Sequence, residues 1–221
     1  MVITRDVSGM RGAVRDGVRD GVGLLHDARR EKDRLEAELW ARDLFAEVEA
    51  ARWVLLDTET TGLDDSAEVV QVAVVSLGGT VLMDTLVRPS GPIPWEASRV
   101  HGISDDRVKD APAYRDVHAE LERLLVERSV VAYNASFDER ILRQTAARYG
   151  LRPPRARWEC AMRQYARWIN QWDERRNDYR WHKLPAVALP GFVAHTASGD
   201  CLSTLHVLRR MAGLIETAAE N

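Results

Sequence analysis

Valine and leucine dominate three short segments of the chain beyond residue 50. These segments are 52–60 (RWVLLDTET), 68–77 (EVVQVAVVSL) and 81–89 (VLMDTLVRP), and turn-forming residues separate them at 62–66 and 78–79. Apolar runs of this length bounded by glycine and serine are typical of β-strands, and short turns join antiparallel neighbours. The pattern therefore predicts an antiparallel meander of three strands.

Beyond residue 90 the apolar spacing alternates between helical and strand-like. Prolines and glycines between 91 and 112 predict a loop, and the wholly apolar segment 129–133 (SVVAY) predicts a strand buried on both faces. Helical spacing predicts five helices, at 113–127, 137–149, 158–173, 181–189 and 198–219. Three strands followed by alternating helix and strand, and then by helices, indicate a mixed α/β sheet covered by helices.

The first 50 residues follow another pattern. Five glycines between positions 9 and 23 disfavour a helix there, whereas apolar residues at helical spacing predict an amphipathic helix over 24–50. The apolar stripe of this helix either packs on the chain's own domain or docks a second subunit or another protein, and the sequence leaves both open. We therefore divide the chain into a helical N-terminal arm, 1–50, and a domain, 51–221.

Length, composition and charge exclude several classes of protein for this chain. A chain of 221 residues is long enough for one domain with an attachment, and its 45% hydrophobic and 29% charged residues exclude a disordered chain. With 31 basic and 34 acidic residues the net charge is −3, which excludes a protein that coats nucleic acid by overall charge. No apolar run suggests a signal peptide or a membrane span, and the two cysteines, Cys160 and Cys201, fit a reducing compartment. We expect a cytoplasmic protein with no membrane partner.

Two carboxylates follow the apolar part of the first predicted strand. Asp57 and Glu59 are two residues apart, so the alternation of side chains along a strand places both on the same face. Adjacent negative charges at a strand end repel each other unless a cation joins them, and oxygen ligands suit Mg²⁺ or Mn²⁺ better than zinc. Taken alone, however, an Asp-x-Glu pair is more often solvated surface charge than a metal site.

Two later segments carry further candidate residues. Asp138 comes just after the strand predicted at 129–133 and near the start of a predicted helix, where the helix dipole favours a carboxylate. His195 precedes Asp200 by five residues at the entry to the last predicted helix. Each has an ordinary structural explanation as well, since acidic residues often cap helices and single histidines are usually structural.

Taken together and in this order, these segments resemble the DEDDh 3′-to-5′ exonucleases, the family of the proofreading epsilon subunit of bacterial DNA polymerase III. The family motif D-x-E-T-T-G stands at 57–62, N-x-x-F-D at 134–138 and H-x-x-x-x-D at 195–200. Connecting stretches at 94–114 and 179–188 are also similar, so the resemblance covers about residues 52–212. A sister branch has tyrosine where this chain has Thr196, which indicates the histidine branch.

The resemblance implies a fold and an activity. The fold is an α/β, ribonuclease H-like, mixed five-stranded sheet flanked by helices, and the N-terminal arm lies outside the resemblance. The activity is a metal-dependent 3′-to-5′ exonuclease that hydrolyses phosphodiester bonds and releases nucleoside monophosphates. Its partner is a nucleic acid with a free 3′ end. We expect this to be single-stranded DNA, as for a proofreading or repair exonuclease.

The same resemblance implies a role for each catalytic residue. Two ions, Mg²⁺ or Mn²⁺, would be held by four carboxylates, those of Asp57, Glu59, Asp138 and Asp200. Asp57 would bridge both ions, Glu59 and Asp200 would complete the site of the attacking water, and Asp138 would support the second ion. His195 would accept the proton of that water, which suits imidazole because its unperturbed pKa lies near 6.5.

The resemblance also implies how the substrate is held. Thr60, Leu63, His101 and Phe137 would hold the terminal nucleotide, with Leu63 and Phe137 against its base and sugar. The stretch 155–183 contains seven arginines and Lys183 against four acids, a local charge of 8 − 4 = +4, and either guides a strand to the site or is a solvated helix face.

Two other functions stay open at this point. One is a 3′-to-5′ exoribonuclease, because a single-stranded RNA end fits a similar cleft and discrimination depends on contacts with the 2′-hydroxyl. The other is an inactive end-binding or adaptor protein that docks a partner, or a second copy, through the arm. An Asp57→Ala comparison separates the adaptor from an enzyme, since an adaptor would lose nothing.

Overall fold

A mixed five-stranded sheet forms the centre of the fold in the computed structural model, which describes residues 8–46, 50–184 and 195–215, with side chains from residue 24 onward. The strands are β1 (Trp53–Thr60), β2 (Val69–Ser76), β3 (Val81–Leu86), β4 (Ser129–Ala132) and β5 (Arg157–Cys160). Their order is β3-β2-β1-β4-β5, with β1, β2 and β3 antiparallel and β1, β4 and β5 parallel. The predicted meander and the mixed five-stranded sheet are therefore confirmed.

Helices cover both faces of this sheet. They are α1 (Ser8–Leu44), α2 (Trp95–His101), α3 (Asp105–Val108), α4 (Tyr114–Leu125), α5 (Ala135–Arg148), α6 (Ala161–Ile169) and α7 (Ala197–Met211), and a small hairpin of β6 (Trp172–Asp173) and β7 (Asp178–Tyr179) follows α6. On one face Val54 and Leu56 of β1 pack with α4 and α5. On the other face Leu55 packs with α1, α6 and α7. Because side chains alternate along β1, Asp57 and Glu59 face the layer of α1, α6 and α7, whereas Thr58 faces α4 and α5.

Two local predictions were wrong between residues 90 and 173. The segment 91–112, predicted as a loop, contains the short helices α2 and α3. The segment 158–173, predicted as one helix, contains the end of β5, α6 and β6. The strand forms because Val130 and Val131 of β4 pair in parallel with Trp158 and Glu159, a long-range contact that leaves no periodic signal in four residues.

The ends of two predicted helices lie outside the described residues. Of the helix predicted at 181–189, residues 185–189 are not described, and 181–183 have no helical structure. The last helix, predicted at 198–219, is observed as Ala197–Met211, and residues 216–219 are not described.

The N-terminal arm differs from its prediction at both ends. Helix α1 begins at Ser8 and ends at Leu44, so it includes the glycine-rich part and stops six residues before the predicted end. Glycine costs about 1 kcal/mol relative to alanine inside a helix, but extending an existing helix is far easier than starting one. The last turns of α1 stabilise the helix from which the glycine-rich part extends, because Ala37, Ala41 and Leu44 are buried in the core beside α6 and α7.

The exposure of α1 changes along its length. Leu24 and Leu25, near the middle of the helix, are about 70% exposed, whereas Ala37, Ala41 and Leu44 of the last turns are buried. Leu39, on the other side of these turns, is 55% exposed. Among the described helices, none is long and apolar enough to cross a membrane.

Candidate active site

Asp57 and Glu59 lie near the carboxyl end of the central strand β1, close to the first turns of helices α5 and α7. The two side chains share the face of Leu55, and in the sheet register Asp57 lies opposite Ala73 and Glu59 opposite Gln71. A β-bulge follows between Glu59 and Thr60, which bends the strand just after the two carboxylates. The predicted placement of both acids on one face is therefore observed.

Helix α7 brings Asp200 to the same face. The helix begins with Thr196 as its N-cap, whose hydroxyl accepts a hydrogen bond from the backbone N–H of Gly199 at 3.3 Å. Asp200 lies in the first turn. Thr196 therefore caps the helix, and Asp200 in the same first turn points into the site.

Two residues of the meander hold the start of α7 in place. Gln71 of β2 accepts a hydrogen bond from the backbone N–H of Ala197 at 3.3 Å and donates to Asp84 of β3 at 2.7 Å. Asp84 also accepts a hydrogen bond from the hydroxyl of Ser198 at 2.5 Å. The position of Asp200 relative to β1 is consequently fixed by polar contacts between α7 and the antiparallel part of the sheet.

Three carboxylates converge where these elements meet. One oxygen from each of Asp57, Glu59 and Asp200 lies within 4.8 Å of the other two. Glu59 is buried, and the other two are half-buried. Burial and repulsion from Asp200 and Asp138 raise the pKa of Glu59 to about 8, and burial with repulsion from its three acidic neighbours raises the pKa of Asp57 well above its ordinary value.

Asp138 approaches from the opposite face of the sheet. It is a buried residue in the first turn of α5, and it accepts a 2.8 Å hydrogen bond from the hydroxyl of Thr58. Burial raises the pKa of Asp138 to about 7, although the hydrogen bond from Thr58 opposes that rise. Its charge acts on both Asp57 and Glu59, so the fourth carboxylate belongs electrostatically to the same site.

His195 lies at the rim of this cluster. Its side chain is exposed, and its backbone is left-handed with φ 63°, an uncommon conformation for a residue with a side chain. Burial raises the pKa of Asp200, while the charge and the backbone N–H of His195 lower it. The structure therefore brings all five predicted catalytic residues to one region, with the imidazole open to solvent.

The donor set fits divalent cations that prefer oxygen. Burial and the charges of neighbouring acids raise the pKa of Asp57, Glu59 and Asp138, and a doubly charged ion relieves that repulsion. Mg²⁺ and Mn²⁺ prefer oxygen ligands, whereas sites for softer metals use cysteine or several histidines. Cys201 is buried beside the cluster, but burial and the nearby acids raise the pKa of its thiol, which disfavours a thiolate ligand.

Two of the four predicted nucleotide-binding residues contact each other beside the carboxylates. Both Thr60 and His101 are buried, and the backbone N–H of Ile103 donates to Nδ1 of His101 at 3.0 Å. Nε2 of His101 therefore carries the proton, and it donates to the carbonyl oxygen of Thr60 at 3.2 Å. His101 thus ties α2 to the end of β1.

The other two predicted nucleotide-binding residues are linked through Arg140. Leu63 lies in the loop between β1 and β2 and is 78% exposed, and Phe137 lies in the first turn of α5. The Arg140 guanidinium lies over the Phe137 ring, 5.4 Å from its centroid, and donates to the carbonyl oxygen of Leu63 at 3.0 Å. All four residues predicted to hold the nucleotide therefore lie in, or are tied by these contacts to, the end of β1 and the start of α5, which carry Asp57, Glu59 and Asp138.

Sequence reasoning missed several residues that position the site. Thr58 lies inside the D-x-E motif, and its placement between two carboxylates of one strand was a signal that it faces the other helix layer. Gln71 and Asp84 gave no such signal, because their partners on α7 are more than 110 residues away in the sequence.

Comparison with known proteins places this geometry in a family. A family model described as an exonuclease (RNase T type) matches residues 54–208. An uncharacterised exonuclease of Escherichia phage 186 is 39% identical over 170 residues, which cover 72% of this chain and 87% of the phage protein. The DNA polymerase III epsilon subunit of Rickettsia prowazekii is 30% identical over 97 residues, and there the match covers 41% of this chain and 42% of the relative.

A solved structure shows the same fold. Exonuclease X in complex with 5′-overhanging duplex DNA superposes with a TM-score of 0.53 and 28% identity, covering 75% of this chain and 95% of that one. The match of the family model spans the three motifs and the described elements that carry them. This chain belongs to the exonuclease family, in its DEDDh 3′-to-5′ branch, and it is a 3′-to-5′ exonuclease.

Proposed function

We propose that this exonuclease acts on DNA, removing nucleoside monophosphates from a single-stranded 3′ end. The observation that carries the proposal is the convergence of Asp57, Glu59 and Asp200 within 4.8 Å, with Asp138 beside them. DNA is favoured over RNA because exonuclease X, of similar fold and 28% identity, was solved with DNA bound.

The four carboxylates would hold two divalent ions. When bound, Mg²⁺ or Mn²⁺ neutralises the charge of the scissile phosphate and of the leaving oxygen and lowers the pKa of the attacking water. Asp57 would contact both ions in this proposal, because its carboxylate is the one that the charges of all three other acids act on. Asp138, held by Thr58 on the opposite side, supports the second position.

His195 acts as the general base in this proposal. An exposed imidazole next to Asp200 can accept a proton from water and release it to solvent after each turnover.

A groove beside α5 supports a path for the strand that leads to the site. It has a volume of about 630 Å³, begins at Ala135 and Ser136, next to Phe137, and is lined from the basic stretch by Trp158, Arg163 and Arg167. Three acids, Glu139, Glu159 and Asp178, also line it and outnumber these two arginines, so stacking on Trp158 and Trp181 rather than net charge would hold a strand here. Stacking on aromatic side chains is available to unpaired bases, which favours a single strand.

One digest tests the proposed function. The substrates are 5′-labelled single-stranded DNA and RNA of the same sequence, incubated with Mg²⁺, with Mn²⁺ and with chelator, for the wild type and for His195→Ala. We expect a metal-dependent ladder that shortens from the 3′ end of DNA and is lost in the variant. A stronger ladder on RNA would replace DNA by RNA as the substrate, and no ladder on either would contradict the proposal.

A further inference from the structure

Helix α5 binds the loop between β1 and β2 through a row of three long side chains. Arg140, Gln144 and Arg148 are four residues apart, so they lie along one side of the helix. Arg140 donates to the carbonyl oxygens of Leu63 at 3.0 Å and Asp64 at 3.3 Å. Gln144 donates to those of Asp64 at 3.0 Å and Ala67 at 2.6 Å, and Arg148 donates to that of Ser66 at 3.1 Å. Helix α5 therefore donates five side-chain hydrogen bonds to the backbone of this loop.

The loop is also closed by its own contacts. Thr61 and Glu68 pair across its base, with a backbone hydrogen bond of 2.9 Å and a second one from the Glu68 N–H to the Thr61 hydroxyl at 2.9 Å. The Asp64 carboxylate accepts hydrogen bonds from the backbone N–H and the hydroxyl of Ser66. A loop with this many partners on its backbone holds one backbone conformation, so the point and direction at which each side chain leaves the backbone are fixed.

Leu63 is the exception to the polar character of this loop. It is a large apolar residue with 78% of its surface exposed, at the tip of a segment whose backbone is held by α5. The hydrogen bonds to the loop backbone keep this apolar side chain in solvent. Such a side chain suits contact with a ligand that has an apolar surface of its own, such as a nucleobase.

Arg140 connects this leucine to the other apolar residue of the site. Its guanidinium donates to the Leu63 carbonyl oxygen and packs on the Phe137 ring at 5.4 Å, and Phe137 directly precedes the buried Asp138. Arg140 also lies 3.6 Å from the Asp65 carboxylate, so its charge is already partly neutralised within the protein. These contacts identify Arg140 as a link between loop and helix rather than a free cation for phosphate.

We propose that Arg140 and Gln144 form a clamp that sets the distance between Leu63 and Phe137, and so positions the base of the 3′-terminal nucleotide between them. The inference rests on the proposed function, because it assumes that this slot receives a nucleotide. Arg140 and Gln144 are positioning residues, since they act through the loop and do not touch the reacting phosphate. A loosened clamp therefore weakens substrate binding and leaves the carboxylate cluster intact.

The kinetic test separates the clamp from simple charge attraction. Arg140→Ala and the neutral change Gln144→Ala should each raise KM for a single-stranded DNA end by about tenfold, the scale of a lost apolar contact in a pocket, with kcat within about twofold of the wild type. Arg143→Ala is the matched control, because Arg143 is exposed on the same helix and has no side-chain partner among the described residues. Arg140→Lys keeps the charge but not the fork of donors, so it should remain impaired.

A modified substrate shows whether the base is what the clamp positions. On a DNA whose 3′-terminal nucleotide lacks its base, the wild type should lose the contact itself, so the KM values of Arg140→Ala and the wild type should become equal. Rescue of activity by Arg140→Lys, or an equal effect of Arg143→Ala, would instead show a role in charge attraction and overturn the clamp.

A second measurement examines the loop without any substrate. Hydrogen–deuterium exchange of peptides covering residues 61–68 should be faster in Arg140→Ala and Gln144→Ala than in the wild type and in Arg143→Ala. Unchanged exchange would overturn the clamp even if KM rose. Faster exchange with an unchanged KM would show that the loop does not hold the substrate, and would also overturn it. A wild type that degrades neither DNA nor RNA would contradict the proposed function, while the exchange result would still report on the loop.

Discussion

The hydroxyl of Thr58 donates a 2.8 Å hydrogen bond to the carboxylate of Asp138, eighty residues further along the chain. Thr58 faces one side of the sheet while Asp57 and Glu59, its neighbours in sequence, face the other. The bond therefore joins the two helix layers at the carboxylate cluster, and it favours the ionised form of Asp138 against the effect of burial.

Replacing Thr58 by valine should weaken metal binding without removing a ligand. Valine has nearly the same shape but cannot donate, so the pKa of Asp138 should rise further and its carboxylate should bind a cation less well. We expect the Mg²⁺ concentration for half-maximal activity to rise by about tenfold, the factor that corresponds to the loss of one hydrogen bond to a charged group. Thr58→Ser keeps the hydroxyl and should behave as the wild type. An unchanged metal requirement in Thr58→Val would show that this bond does not influence the site.

The variant Asp57→Asn should separate metal binding from folding. The amide removes one of the mutually repelling carboxylates, so thermal unfolding in chelator should occur at a higher temperature than in the wild type. Addition of Mg²⁺ or Mn²⁺ should raise the unfolding temperature of the wild type and have little effect on the variant, because a ligand stabilises only the state that binds it. Asp110→Asn, at an exposed acid, is the control and should respond to metal as the wild type does. Equal metal responses in all three proteins would contradict a role of Asp57 in binding.

The stability of the metal-free protein should fall as the pH rises from about 5 to 8. The pKa of Glu59 is about 8 and that of Asp138 about 7, both above their ordinary values of 4.5 and 3.8. In this window the folded protein keeps protons that the unfolded chain releases, so the free energy of unfolding decreases by up to about 1.4 kcal/mol per pH unit for each such proton and levels off above the raised pKa values.

Metal should reverse this pH dependence. A bound divalent cation replaces the protons. The decrease of the free energy of unfolding with pH that is measured in chelator should therefore become smaller, or change sign, when it is measured in saturating Mg²⁺. Chemical denaturation at several pH values gives both slopes. Glu59→Gln removes one titrating group and should flatten the slope in chelator. A stability that increases between pH 5 and 8 without metal would contradict the raised pKa values.

Replacing His195 by alanine should lower the rate of hydrolysis and leave metal binding almost unchanged. The imidazole is exposed at the rim of the cluster and serves as the proposed base, a role worth about 10²- to 10⁴-fold in rate. The metal-induced rise in unfolding temperature should remain, which distinguishes this variant from Asp57→Asn. His26→Ala, at an exposed histidine of α1, is the control. A variant with normal kcat would exclude His195 as the base.

Two arginines of the β6–β7 hairpin should contribute to the salt dependence of substrate binding. Both Arg175 and Arg176 are exposed in the basic stretch. Each phosphate contact on a single strand contributes about 0.7 to the slope of log K against log salt, so the double change to alanine should reduce the slope by up to about 1.4. Arg143→Ala gives the effect of losing one arginine elsewhere. An unaltered slope in the double variant would show that this stretch does not guide the strand.

The sequence was most informative where local pattern and chemistry coincide. Alternation along one strand predicted the shared face of Asp57 and Glu59, and apolar runs predicted the meander. Strand β5 escaped prediction because its four residues are defined by pairing with β4, which is a long-range contact. The donors that hold the β1–β2 loop escaped for a related reason. Their acceptors are backbone carbonyl groups, which are present in every residue and leave no trace in the sequence.

The last described helix supplies Asp200, and this has a consequence for the order in which the protein acquires its activity. The three acids of the cluster come from residues 57, 59 and 200, so they meet only after most of the chain has been synthesised and folded. Contacts between such distant residues form after local ones during folding. We therefore expect a growing or truncated chain that ends before α7 to lack a complete active site, so that nuclease activity begins only with the finished domain.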